Sequence, residues 1–342
     1  MIYNIGEFYF NQTGKQETGL KTVNTVLGPL ETAKIGFTLM HDHIMGSASG
    51  IPQVYPELLG KDYKKRIIKG LTAAKKAGIN TIVDADTFDL GRAVKILSEV
   101  SQASGVNIVC CSGWFGELPV YLGSFSADQF AQIFAREVKE GIEGTNIKAG
   151  ILKSAADFGG VTPIGALLLR GVARAQLMTG VPIMLHSYAP DQIGRQQVAI
   201  LKEEGVDLRR VKLDHSTDTK DMEYLTWIIE QGCYLGMDRL PGIHVPPLAR
   251  VSPEGRIKTI KDLIDAGYAK RILLGHDAFL VSSFFDTLPN DAKQKLASDN
   301  PHGFLYINKV VLPRLRELGV SEEIIKSICI DNPRRFFEGS QP

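Results

Sequence analysis

Three observations predict an α/β fold, a closed (β/α)8 barrel of the TIM type. Eight short apolar runs recur along the 342 residues. Longer amphipathic stretches separate them, so the strands should be parallel and joined by crossover helices. Eight such units in a chain of this length favour a closed barrel over an open sheet.

The elements follow in order. FTLMHDHI at 37–44 is the first strand, and DYKKRIIKGLTAAKKAG at 62–78 then repeats apolar positions at helical spacing. TIVDADT at 81–87 and NIVCCSG at 107–113 are the second and third strands, before the helix SADQFAQIFAREVKEGI at 126–142. The strand IKAGILKSA at 147–155 and the helix PIGALLLRGVARAQLMTG at 163–180 come next. PIMLHS at 182–187, VKLDHS at 211–216, YLGMDR at 234–239 and RILLGHD at 271–277 are the last four strands. Several helix patterns end in Gly just before the next strand, where a left-handed C-cap is expected. Residues 1–22 read as an N-terminal extension, with Tyr3, Phe8, Tyr9 and Phe10 as docking side chains, and 23–342 as a single barrel domain. Residues 240–255 and 278–303 are long connections after strands seven and eight, at the barrel end where function resides.

Composition narrows the class. Thirty-nine Lys plus Arg against 38 Asp plus Glu leave a formal charge of +1. That balance argues against a basic nucleic-acid-binding face. At 44% hydrophobic and 23% charged, the chain reads as an ordinary globular protein. No apolar run approaches the roughly 18 residues of a membrane span. The first residues lack a basic stretch followed by an apolar one. Four cysteines, Cys110, Cys111, Cys233 and Cys329, form neither a disulfide framework nor a zinc ribbon. A cytoplasmic location, a small-molecule substrate, no nucleic acid and no membrane are therefore expected.

A buried parallel strand should be apolar nearly throughout. Here the strand ends carry His41, His43, Lys153, His186, His215 and Asp277. Each buried polar group needs a partner, so this concentration asks for an explanation. His41 and His43 stand two apart and share one face of a strand, so both should face the barrel interior while Asp42 faces the helices. Two imidazoles there could hold a divalent metal, or could be a hydrogen-bonded structural pair. Lys153 could pair with an acid such as Asp277, form a Schiff base, act as a base, or bind metal once modified. Of the neighbours His276 and Asp277 only one can face the cavity, and Asp277 suits a metal or a proton, leaving His276 as a hydrogen bonder behind the strand. Asp214-His215-Ser216 is not a triad, because adjacent strand residues alternate faces. GSASG at 46–50 has Ala48 where a hydrolase elbow needs its nucleophile.

Taken in order, TLMHDHI, TIVD, GIEGTNIKAGILK, TGVPIMLHS, DHSTDT, YLGMDR, GHD and the terminal DNPRRFF resemble the phosphotriesterase family of the amidohydrolase superfamily, from about Val23 to Phe337. The resemblance implies a distorted (β/α)8 barrel with a binuclear metal centre. It implies that His41, His43 and Asp277 hold the more buried ion, that His186 and His215 hold the more exposed one, and that Lys153, carboxylated by carbon dioxide, bridges them. Two divalent ions are expected, zinc first, with cobalt, manganese or iron as alternatives. Asp277 would also accept the nucleophile's proton, with Asp218 as relay carboxylate or, alternatively, as cap of the next helix. A homodimer is the expected assembly.

The MDR triplet, with Arg239, resembles the phosphotriesterase-like lactonase branch. Arg239 is expected at the substrate or paired with Asp218 on an exposed rim. SGWFGELPVYLG at 112–123 departs from the branch, which carries a tyrosine there; Trp114 or Phe115 takes its place as a substrate-binding residue. The expected activity is lactone hydrolysis, N-acyl homoserine lactones among the candidates, with promiscuous phosphotriester and arylester hydrolysis. The alternatives are a true phosphotriesterase, natural or engineered, and a non-catalytic ligand-binding barrel.

Overall fold

The computed structural model describes residues 21–340 apart from 117, 242–249 and 287. The aromatic residues of the expected N-terminal extension and the middle of the 240–255 connection lie outside these. Thr22–Thr25 (β1) and Gly28–Glu31 (β2) form an antiparallel hairpin, so chain order begins with two strands that sequence patterning did not single out. The barrel strands are Phe37–Gly46 (β3), Ile79–Asp84 (β4), Asn107–Gly113 (β5), Ile151–Ala156 (β6), Ile183–Ser187 (β7), Val211–Leu213 (β8), Tyr234–Met237 (β9), Ile272–Leu274 (β10) and Phe279–Ser282 (β11). They pair in parallel in sequence order from β3 to β10, and β11 lies beside β3.

The expected barrel is present, with one difference in how it closes. The eighth strand is interrupted at 275–278, and its continuation β11 makes the seam against β3. Asp277 N donates to His41 O at 3.0 Å and His43 N donates to Ala278 O at 2.9 Å. Gly275 is needed there, because a Cβ would lie 2.6 Å from the His41 carbonyl oxygen. The 278–303 segment is thus no mere connection: it carries β11 and the helices Ser283–Asp286 and Asn290–Asp299.

Two apolar layers fix the strands. Met40, Val83, Val109, Cys111, Ile151, Met184, Tyr234 and Leu273 pack inside the barrel, with Phe336 and Phe337 of the last helix against them. Outside, residues such as Leu39, Ile82, Leu152 and Leu235 meet the helices. The pairing of β3 with β4 slips between Leu39 and Asp42. Such an irregularity re-aims side chains, and it allows both Met40 and His41 to turn inward. Helices Tyr63–Lys76, Ala127–Lys139 and Pro163–Thr179 match the amphipathic stretches. Ser126 and Gln129 close a capping box, and Gly180 ends its helix at φ 73°. All four cysteines are buried and free. Among the described residues no helix is long and apolar enough to cross a membrane.

Candidate active site

The strand ends bring four imidazoles, a carboxylate and Lys153 together. His41 Nε2 and His43 Nε2 lie 3.5 and 3.1 Å from Asp277 Oδ1. Donor atoms of these three residues all fall within 4.8 Å of one another. On the other side His186 Nδ1 faces His215 Nε2 at 2.7 Å. Lys153 is buried and donates its Nζ hydrogen to Ala85 O at 2.7 Å.

Behind each ring stands a second carboxylate. Asp86 Oδ1 is 2.6 Å from His43 Nδ1, and Asp238 Oδ1 is 2.7 Å from His215 Nδ1. Asp214 Oδ2 is 2.9 Å from His41 Nδ1, close but poorly aligned, and it also pairs through its other oxygen with the buried Lys212. Asp157 Oδ2 is 3.4 Å from His186 Nε2. A carboxylate takes the N–H of one ring nitrogen and leaves a lone pair on the other. This turns Nε2 of His41, His43 and His215, and Nδ1 of His186, inward; the proton in the His186–His215 contact and the one His43 Nε2 directs at Asp277 are those a bound cation would displace. That donor set, soft enough for transition metals and flanked by one hard carboxylate, fits divalent metal ions.

The electrostatics support neutral rings on three sides. Burial pushes the His41 imidazolium down to about 3, against the pull of Asp214. Burial likewise lowers His186, and lowers His215 well below the usual range with help from Arg239 and His186. Burial opposes charge on His43 too, but Asp86 and Asp277 outweigh it and raise its pKa to about 9. For Asp277, burial is outweighed by His215, Arg239 and His43, which hold its carboxyl well below the usual carboxylate range.

His215, Arg239 and Asp277 follow the ends of the successive strands β8, β9 and β10 by two or three residues, at φ 62°, 52° and 54°. Non-glycine residues rarely take this left-handed conformation, and here it concentrates on site residues. It also corrects an expectation. β8 ends at Leu213, so Asp214 and His215 do not alternate as strand neighbours, and both reach the cluster. The pair at 276 and 277 does divide as expected: Asp277 faces the site, and His276 Nδ1 sits 3.2 Å from Asp42 while its Nε2 accepts from Ile307 N.

Arg239 is buried rather than on an exposed rim. Its Nε donates to Asp277 Oδ2 at 2.8 Å and its Nη1 to Asp218 Oδ2 at 2.7 Å. Arg256 holds the other oxygen of Asp218 and also Thr217. Asp218 does not cap the next helix; Asp221 does, accepting from Tyr224 N. Of the two aromatic candidates, Phe115 faces the cluster, edge-on to His186 at 5.0 Å and 5.3 Å from Lys153 Nζ. Trp114 is in the apolar core against Phe88, because the turn after β5 directs consecutive side chains oppositely. Asp86, Asp157, Asp238, Lys212 and Arg256 were not singled out from sequence, and Asp214 was weighed only as a member of a triad. A hint was present: acids stand one or two positions from a strand-end residue in DAD, LDH and MDR.

A parallel barrel with this constellation at its strand ends defines a metal-dependent hydrolase. The chain belongs to the phosphotriesterase family, which it matches over residues 21–337. It is 39% identical over 329 residues to a phosphotriesterase homology protein of Mycobacterium tuberculosis (strain ATCC 25618 / H37Rv), covering 92% of this chain and 97% of the relative. It is 34% identical over 311 residues to an aryldialkylphosphatase of Saccharolobus solfataricus, covering 90% and 96%. The solved structure of the phosphotriesterase from Mycobacterium tuberculosis superposes with a TM-score of 0.84 at 36% identity, over 93% of this chain and 98% of that one.

Proposed function

We propose that the chain hydrolyses uncharged cyclic and aryl esters, lactones first, with phosphotriesters as secondary substrates. In this reading His41, His43 and Asp277 would hold one divalent ion, His186 and His215 would hold a second, and Lys153, as a carbamate, would serve both. Zinc leads among the candidate metals. Carboxylation would also turn a buried ammonium into an anionic oxygen donor. Bound there, the ions would lower the pKa of water and polarise the substrate oxygen.

The chain's own residues do the rest. Asp277 Oδ1 faces the imidazoles and is placed to take the proton of the attacking water, while Oδ2 is occupied by Arg239. A guanidinium does not give up its proton in proteins. Asp218 therefore acts through Arg239 as an anchor, and proton release from Asp277 is toward solvent. Phe115 supplies an apolar wall beside His186 and Lys153.

The observation that carries the substrate preference is Arg239 clamped between Asp277 and Asp218, which sets a guanidinium beside the proposed metal ligands, where it would leave less room for a bulky phosphotriester. Steady-state rates of zinc- and bicarbonate-treated enzyme on a long-chain γ-lactone, 4-nitrophenyl acetate and paraoxon test it. The lactone should have the highest kcat/KM, and Arg239→His should shift the ratio toward paraoxon. Paraoxon turnover above lactone turnover in the unsubstituted chain would favour the true phosphotriesterase. Inactivity on all three at full metal content would favour the ligand-binding barrel.

A further inference from the structure

We infer that Asp89, in the connection after β4, is a positioning residue that fixes the aromatic wall of the site. The inference rests on the proposed hydrolase reading, in which Phe115 borders the substrate. One Asp89 carboxylate grips the neighbouring connection: Phe115 N donates to Oδ1 and Oδ2, each at 3.2 Å, and Gly116 N donates to Oδ2 at 2.7 Å. Thr87 Oγ1 donates to Oδ1 at 2.6 Å and fixes the carboxylate itself. Successive backbone N–H groups converging on one anion make a stiff turn.

The same turn is tied down on its other side. Trp114 N donates to Lys153 O at 3.2 Å. Gly113, at φ 132°, permits that approach, since a Cβ would lie 1.9 Å from the Lys153 carbonyl oxygen. Phe88, next to Asp89, packs its ring 5.7 Å from that of Trp114. Phe115 is thus held between two anchors, edge-on to His186 at 5.0 Å with Lys153 Nζ 5.3 Å from its centroid. Asp89 touches neither histidine nor lysine in these contacts. Its action passes through the backbone of residues 115 and 116, so it sets where an apolar substituent of the substrate can rest, and leaves the reacting atoms alone.

A wall contact made equally in the bound substrate and in the transition state acts on KM more than on kcat. Asp89→Ala should raise KM for γ-nonalactone about tenfold, the order expected for loss of one apolar pocket contact. Its kcat and bound metal should stay near those of the parent, and γ-butyrolactone, with no tail, should change little. Asp89→Asn, which retains one acceptor oxygen, should fall between. The double variant Asp89→Ala with Phe115→Ala should be no worse than Phe115→Ala alone, because both remove the same wall. A readout independent of turnover uses Trp114, one of two tryptophans: in a Trp227→Phe background, Asp89→Ala should shift its emission and increase quenching by acrylamide. Unchanged emission with unchanged KM, additive effects of the two substitutions, or parallel loss of metal and of both lactone activities would overturn the inference. Failure of the parent to hydrolyse either lactone would instead sink the lactone-first reading, while the Trp114 emission would still decide whether Asp89 holds the turn.

Discussion

His43 and His186 each carry a carboxylate on the ring nitrogen that faces away from the cluster, but the two carboxylates live in different surroundings. Asp86 is buried 2.6 Å from His43, whereas the Asp157 side chain is 60% exposed and 3.4 Å from His186. His41 likewise has buried Asp214 behind it, itself paired with buried Lys212. In the sealed half, charges meet in a low dielectric, where pairing is strong and an unpaired partner is costly. In the open half, water competes with Asp157. Its carboxyl is still held down to about 2, first by the hydrogen bond to His186. The contrast separates a sealed half, whose carboxylates are buried, from an open half beside Phe115.

The strongest way to break this picture acts where the halves meet. Asp277→Asn should lower kcat by about 10^2–10^4-fold, as expected for loss of a positioned proton acceptor. It should also weaken metal binding on the sealed side. Near-parental kcat at full metal occupancy would remove Asp277 from the chemistry.

Next in size is a stability difference. Asp214→Ala leaves the Lys212 ammonium buried without its carboxylate, which should cost about 3–5 kcal/mol in urea unfolding. Asp157→Ala, at a solvent-exposed carboxylate, should cost about 1 kcal/mol or less. Equal losses would show that the two halves are not distinguished by burial.

The metal-stripped chain should show the same asymmetry as a function of pH. His41 titrates at about 3 when folded against 6.5 ordinarily, so between those values the unfolded chain binds a proton that the folded one does not. Stability should therefore fall as pH drops below 6.5, by roughly 2 kcal/mol from pH 7 to 5. His43 is raised to about 9, so its contribution is complete below 6.5 and is lost as pH rises through 9. Tm of chelator-treated protein at pH 5, 7 and 9.5 should peak at neutral pH, and His41→Asn should flatten the acid limb. A Tm that climbs steadily toward pH 5 would contradict both assignments.

The smallest expected effects are on metal affinity. Asp86→Asn should weaken zinc binding about 10–100-fold, the usual range for a carboxylate behind a ligating histidine. Asp157→Asn should do so only about threefold, below that range, because solvent can replace the exposed carboxylate. Isothermal titration of the stripped protein measures both, and a reversed order would place the sealed half at His186.

Alternation of apolar strand and amphipathic helix determined the barrel in the sequence itself, because period and order are local properties of the chain. Side-chain type at the strand ends likewise marked His41, His43, Lys153, His186, His215 and Asp277, since polar residues in buried parallel strands are conspicuous. The carboxylates behind the rings were legible only as acids near strand ends, with no partner assigned. Asp86, Asp157 and Asp238 gain meaning only from the strand that lies next to theirs, and acids beside turns are common for other reasons. Arg239 and Phe115 show the same limit: sequence put them near the site, but only the tertiary structure decided that Arg239 is buried between two acids and that Phe115, not Trp114, faces the cluster. Where a strand ends, and whether a residue just past its end turns to φ near +60° as His215, Arg239 and Asp277 do, depends on contacts across the barrel. Those contacts join residues tens to hundreds of positions apart, and no local pattern in the chain records them.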